Sequence, residues 1–126
     1  MSYLYLASPY SHVEETRREE RYRAATRAAH WLLSIRCWTY SPIVHCHSLA
    51  ILYNLPKDFE FWRDYNYAML ESAHSLYLLN IEGLWDSIGV QLEIEFARRN
   101  KKPIHLLNPD GREYIRSDYR GEPTLV

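Results

Sequence analysis

The chain has 126 residues and a net charge of −1, which is the size of a single domain (1–126) and leaves no basic field for a nucleic-acid polymer. Apolar residues make up 47%, enough for a packed core rather than disorder, and no run approaches the roughly 18 apolar residues of a membrane span. Cys37 and Cys46 are too few for a disulfide scaffold, and MSYLYLASPYS has no basic start before an apolar stretch, so no signal peptide and a reducing cytosol are expected.

Ser2 to Ala7 (SYLYLA) reads as a short buried strand, broken at Ser8-Pro9-Tyr10-Ser11. From Val13 to about Arg36 the pattern is helical, with Tyr22, Ala25, Ala29, Leu32 and Leu33 at spacings of three and four. Cys37 to Ser41 (CWTYS) is a second strand stopped by Pro42, and Val44 to Asn54 a short apolar helix. Asp58 is placed to cap a helix over Phe59 to Ala73, with Phe61, Tyr65, Ala68, Met69 and Ser72 on one stripe. Ser75 to Asn80 (SLYLLN) is a buried strand, and Glu82-Gly83-Leu84-Trp85 a loop. Asp86 or Ser87 caps a helix to about Asn100, Pro103 to Leu107 is a further strand, and a polar tail follows, punctuated by Pro109, Gly111, Gly121 and Pro123. Strands alternating with helices predict an α/β fold with a parallel sheet of four or five strands covered on both faces. In such sheets ligands bind beyond the carboxyl ends of the strands, which points to two loops, Ala7 to His12 and Ile81 to Ser87.

The second loop carries the richest chemistry. In Asp86-Ser87-Ile88-Gly89-Val90-Gln91-Leu92-Glu93, Ser87 offers a hydroxyl, Gly89 permits close approach of a ligand, and the first-turn N–H groups attract phosphate. Glu93 lies about one and a half turns further in. Glu95 lies roughly 200° round the helix from it, so one acid faces a pocket and the other solvent. An ordinary capped surface helix with acids in its first turns explains the segment as well. Tyr5 to Ser11 reads as a pocket wall or as a simple strand-to-helix turn. Arg17, Arg18 and Arg21 could meet a phosphate, but pairing with Glu14, Glu15, Glu19 and Glu20 at helical spacing accounts for most of them. His45-Cys46-His47 lacks a second pair of ligands, so no metal is expected, and one of these histidines belongs in the core or near the pocket. The 11 Tyr and 4 Trp residues fit either an aromatic core with a dimer interface or a pocket that stacks a planar base.

Tyr-Leu-Ala-Ser-Pro-Tyr at residues 5–10, followed by Trp-Asp-Ser-Ile-Gly-Val-(x2)-Glu-(x3)-Ala at residues 85–97, resembles the nucleoside 2-deoxyribosyltransferase superfamily over residues 3 to 107. The nearest relatives within it look like a short uncharacterised branch and the nucleoside 5′-monophosphate N-glycosidases. The resemblance implies a Rossmann-like or flavodoxin-like three-layer sandwich, no cofactor, a nucleotide or nucleoside as small-molecule partner, and a homodimer or larger homo-oligomer. It implies that Glu93 is the carboxylate acting at the sugar, with Tyr5 beside it. Ser87 and Gly89 then match the phosphate loop, with Asp86 and Tyr10 on the substrate-binding segments. Ser8 and Pro9 take the places of the small residues near the phosphate, and Arg21 the recurrent arginine of the first helix. One position departs from the pattern. Four residues after Trp62, where an aspartate usually serves the base, stands Asn66, which can hydrogen-bond but cannot act as an acid. Asp64, two residues away and about 200° round the helix, is a further substrate-binding candidate. The expected activity is hydrolysis of the base–sugar bond of a (deoxy)nucleoside 5′-monophosphate through a glutamate-stabilised or covalent intermediate. Transfer to a second base, and nucleotide binding without turnover, are the alternatives.

Overall fold

The computed structural model describes residues 2–120, so Gly121 and Pro123 of the expected tail lie outside the described residues. The chain runs β1 (Leu4–Ala7), α1 (Glu15–Ser34), β2 (Thr39–Tyr40), α2 (Pro42–Tyr53), α3 (Phe59–Ser72), β3 (Ser75–Leu79), a 3₁₀ turn (Leu84–Asp86), α4 (Ile88–Arg99), β4 (Ile104–Asp110) and β5 (Glu113–Asp118). The five strands form one sheet in the order β2-β1-β3-β4-β5. The pairs β1–β2, β1–β3 and β3–β4 are parallel, whereas β4–β5 is antiparallel. This α/β arrangement is compatible with a Rossmann-like or flavodoxin-like fold, in which strand order reverses between β1 and β3.

The antiparallel edge strand corrects the expected parallel sheet and polar tail. Asp110 pairs with Glu113 around Gly111-Arg112, and Gly111 at φ +67° supplies the left-handed residue that so short a turn needs. β2 shrinks to Thr39–Tyr40 because Pro42 enters the first turn of α2 instead of merely ending a strand. Ser41 caps that helix, its Oγ accepting from the Val44 amide at 3.2 Å.

Side chains of the central strands alternate between two apolar clusters. Tyr5, Ala7, Leu76 and Leu78 join Leu70 of α3 and Val90, Ile94 and Ala97 of α4. Leu4, Leu6 and Leu79 join Ala28, Ala29 and Leu32 of α1. Alanines at the contact let α1 lie close to the sheet. Leu33, placed on that stripe by spacing, is exposed, being about 100° round from Leu32. The α3 stripe also needs correction. Phe61 and Tyr65 are 50% and 42% exposed, and the buried residues are Asn66 and Leu70. No helix among the described residues is long and apolar enough to cross a membrane.

Candidate active site

The loops following β1 and β3 open from the two strands flanking the switch point, the crevice where doubly wound sheets receive ligands. A cavity of about 660 Å³ lies there, lined by those loops, by α2 and α3, and by the start of α4. Its size suits a drug-sized or nucleotide-sized molecule. Ser8, Tyr10, Asn66, Asp86, Ser87, Gly89 and Glu93 all line it, so both sequence motifs and the departing asparagine meet in one place.

Glu93 is only 4% exposed. It sits on the inner face of α4 beside Val90, Ile94 and Ala97, while Glu95 points to solvent and pairs with Arg99 at 3.5 Å. Tyr5 projects from β1 behind it and donates its hydroxyl to Glu93 Oε2 at 2.5 Å. Tyr5 is fully buried and holds the carboxylate from the sheet side. Burial raises the Glu93 carboxyl to about 8, and the Tyr5 hydrogen bond opposes that rise. The same burial, with the Glu93 charge beside it, keeps the Tyr5 phenol protonated well above its ordinary range. A carboxyl so placed is poised to change charge near neutral pH, which surface acids do not do.

Ser87 caps α4, its Oγ accepting from the Val90 amide at 3.2 Å. Asp58 occupies the cap position of α3, but its side chain makes no capping bond. Gly89 has a packing reason for lacking a side chain: a Cβ there would stand 3.0 Å from the Phe59 ring. The glycine therefore admits Phe59 at the cavity wall, in addition to any ligand. The Ser8 hydroxyl is buried at the wall with no hydrogen-bond partner, an arrangement that costs free energy until something polar binds.

Asn66 is buried, and its Oδ1 accepts from the Tyr40 hydroxyl at 3.2 Å, which turns the amide nitrogen into the donor left for a ligand. Asp64, expected among the substrate-binding residues, is instead 94% exposed, pairs with Arg63 at 3.5 Å, and does not line the cavity, because it lies about 200° round α3 from Asn66. Pro9 is buried behind the wall and does not line the cavity either.

Arg21 also lies off the cavity, and its position explains itself differently from a phosphate ligand. Its Nη1 donates to the Ser11 carbonyl at 2.8 Å, and its guanidinium packs where a Cβ of Gly83 would be, 2.3 Å from Nη2. Arg21 thus fastens both site loops to α1. Arg17 adds a contact to Glu82 at 3.3 Å while pairing with Glu14 and Glu20, and Arg18 Nη1 donates to the His12 carbonyl at 2.5 Å.

Sequence spacing gives no sign of several wall residues. Lys57 and Arg63 are the cationic ones, Phe59 and Trp62 supply aromatic surface, and Cys46 faces in from α2 beside His47, the histidine of that run expected near the pocket. Burial pushes the Cys46 thiol up to about 11, so it is no thiolate nucleophile. The His45-Cys46-His47 run splits: His45 bonds Tyr65 on the outer side, and His47 turns inward. Among the described residues no group of three or more His, Cys, Asp or Glu is placed to hold a metal ion.

Fold and cavity together define an α/β protein with a cavity at its topological switch point. The model of the family described as a domain of unknown function (DUF1937) matches residues 2–108, and the chain belongs to that family. No curated protein matches the chain.

Proposed function

We propose that this protein is an N-glycosidase that hydrolyses the base–sugar bond of a (deoxy)nucleoside 5′-monophosphate, with Glu93 as its catalytic carboxylate. The observation that carries this reading is a buried carboxyl held by Tyr5 at the wall of a nucleotide-sized cavity. Cleavage builds positive charge at C1′, as in glycoside hydrolysis, and a carboxylate below the sugar stabilises that charge or captures it covalently. Once ionised, the carboxylate faces the developing cation across a low-dielectric site, which strengthens their attraction. The 5′-phosphate is assigned to the start of α4, near Ser87, Gly89 and the unpartnered hydroxyl of Ser8. Asp86, Tyr10 and the Asn66 amide are left to orient sugar and base.

The resemblance to the nucleoside 2-deoxyribosyltransferase superfamily supports the same chemistry, and a second base as acceptor would convert hydrolysis into transfer. Asn66 favours one further reading, a nucleotide-binding protein without turnover, since it cannot donate a proton as an aspartic acid does. The three-layer, flavodoxin-like architecture belongs to this proposal and is supported by the two core clusters on alternate strand residues. So do a cytosolic location and a homodimer or larger assembly. The assembly is supported by the exposed Leu52, Tyr53 and Phe61 on helices that line the cavity. Incubation with a panel of nucleotides and nucleosides, with and without a free second base, separates the readings. Base release from monophosphates supports hydrolysis, exchange on nucleosides supports transfer, and tight binding with neither product supports the binding protein.

A further inference from the structure

A chain of three side chains, one from the first motif and two from α1 and α2, runs through the cavity wall. The Tyr10 hydroxyl lies 2.7 Å from His47 Nδ1, and His47 Nε2 lies 2.8 Å from Glu19 Oε2. His47 is buried and its ring stacks on Tyr22 at 4.1 Å, so it cannot turn away from either partner. Tyr10 and His47 line the cavity, whereas Glu19 on α1 is 38% exposed. The chain therefore joins solvent at one end to the ligand space at the other. Both ring nitrogens of His47 are engaged, which leaves the Tyr10 hydroxyl as the group that can touch a ligand. Burial holds the Tyr10 phenol above its ordinary range against the lowering effect of Arg18, so it keeps its proton at neutral pH.

We infer that Tyr10, His47 and Glu19 form the proton relay that serves the leaving base, the task Asn66 cannot perform. The inference rests on the N-glycosidase reading and supplies its missing acid. In the first half-reaction the C1′–N bond breaks and its electron pair goes to the base nitrogen, which takes the Tyr10 proton. Tyr10 recovers a proton from His47 Nδ1, whose Nε2–H stays on Glu19. Glu93 meanwhile holds C1′. In the second half-reaction water attacks C1′ and loses a proton to Tyr10, whose own proton returns to His47. Base and sugar leave, one water is consumed, and the relay is restored. One group acts first as acid and then as base, as microscopic reversibility requires of a retaining glycosidase. Tyr10 is the catalytic residue here, and His47 and Glu19 are positioning residues that act through it.

The test compares wild type, Tyr10→Phe and Glu19→Gln on nucleoside 5′-monophosphates and on p-nitrophenyl ribofuranoside 5-phosphate, whose nitrophenolate departs without a proton. General acid catalysis is worth roughly 10²–10⁴-fold. Because Tyr10 also serves the second half-reaction, which both substrates share, the comparison is made in kcat/KM, which reports bond breaking alone. Tyr10→Phe is expected to lose that much on the nucleotide and far less on the nitrophenyl substrate, with Glu19→Gln lowering kcat on the nucleotide rather than raising KM. Equal losses on both substrates, or none, overturn the relay. If the wild type cleaves no N-glycosidic bond, the reading beneath the relay fails, and nitrogen-15 NMR of His47 decides whether the chain exists. A deshielded ring proton that disappears in Glu19→Gln supports it, and a signal indifferent to Glu19 overturns it.

Discussion

Replacing Glu93 by Gln separates the charge of this side chain from its shape. Gln fills the same volume and its carbonyl can still accept from Tyr5, so the variant resembles the protonated carboxyl. The wild-type carboxyl rises from 4.5 to about 8 on folding, chiefly because burial disfavours the anion. A proton-affinity difference of this size corresponds to at most about 5 kcal/mol between the two charge states. The folded chain holds the proton more tightly than the unfolded one, so wild-type stability is complete below about pH 4.5. It falls as pH rises, by about 1.4 kcal/mol per pH unit, and levels off above about pH 8. Glu93→Gln lacks this loss. Urea unfolding of both proteins from pH 5 to pH 9 measures the difference, in which every other titrating group cancels. The variant is expected to match the wild type near pH 5 and to exceed it by several kcal/mol at pH 9. A difference constant across the range would refute the claim that Glu93 is desolvated and titrates in this window.

Tyr5→Phe removes the bond that holds the Glu93 proton affinity down, so the pH at which base release reaches half its plateau should move upward from about 8. An unchanged or lowered midpoint in the rate profile would remove Tyr5 from that role. Ser87→Ala deletes the α4 cap and should cost about 1 kcal/mol in denaturant unfolding. It should also weaken binding of monophosphates more than of nucleosides by calorimetry, and equal effects on both ligands would exclude a phosphate contact. Gly83→Ala places a Cβ at φ +92° and against the Arg21 guanidinium. The strain should lower stability by about 1–3 kcal/mol, and unchanged unfolding would show that Arg21 does not fasten the loops.

Much of the site was legible because helical and strand geometry is rigid. The direction of Glu93 against Glu95 followed from 100° per residue alone, and the capping role of Ser87 from its place before a helix. Other features left no local trace. β5 is exposed along nearly its whole length and therefore lacks the alternation that marks a half-buried strand. On α3 Phe61 and Tyr65 face outward, Phe59 and Trp62 line the cavity, and a buried position carries the Asn66 amide, so a stripe chosen by hydrophobicity picks the wrong face. Tyr10, His47 and Glu19 come from a loop and two helices, and Arg21 reaches Ser11 and Gly83 on separate loops. Such contacts exist only once the chain is folded, and no spacing encodes them.

The central claim is that Glu93 acts on the bond between a base and a sugar. It is tested most directly by chromatographic measurement of free base released from a panel of nucleoside 5′-monophosphates by the wild type and by Glu93→Gln at pH 8. Release by the wild type, abolished in a Gln variant that still folds and binds the nucleotide, is the predicted result. Equal release by both proteins, or none by the wild type on any member of the panel, would contradict the account.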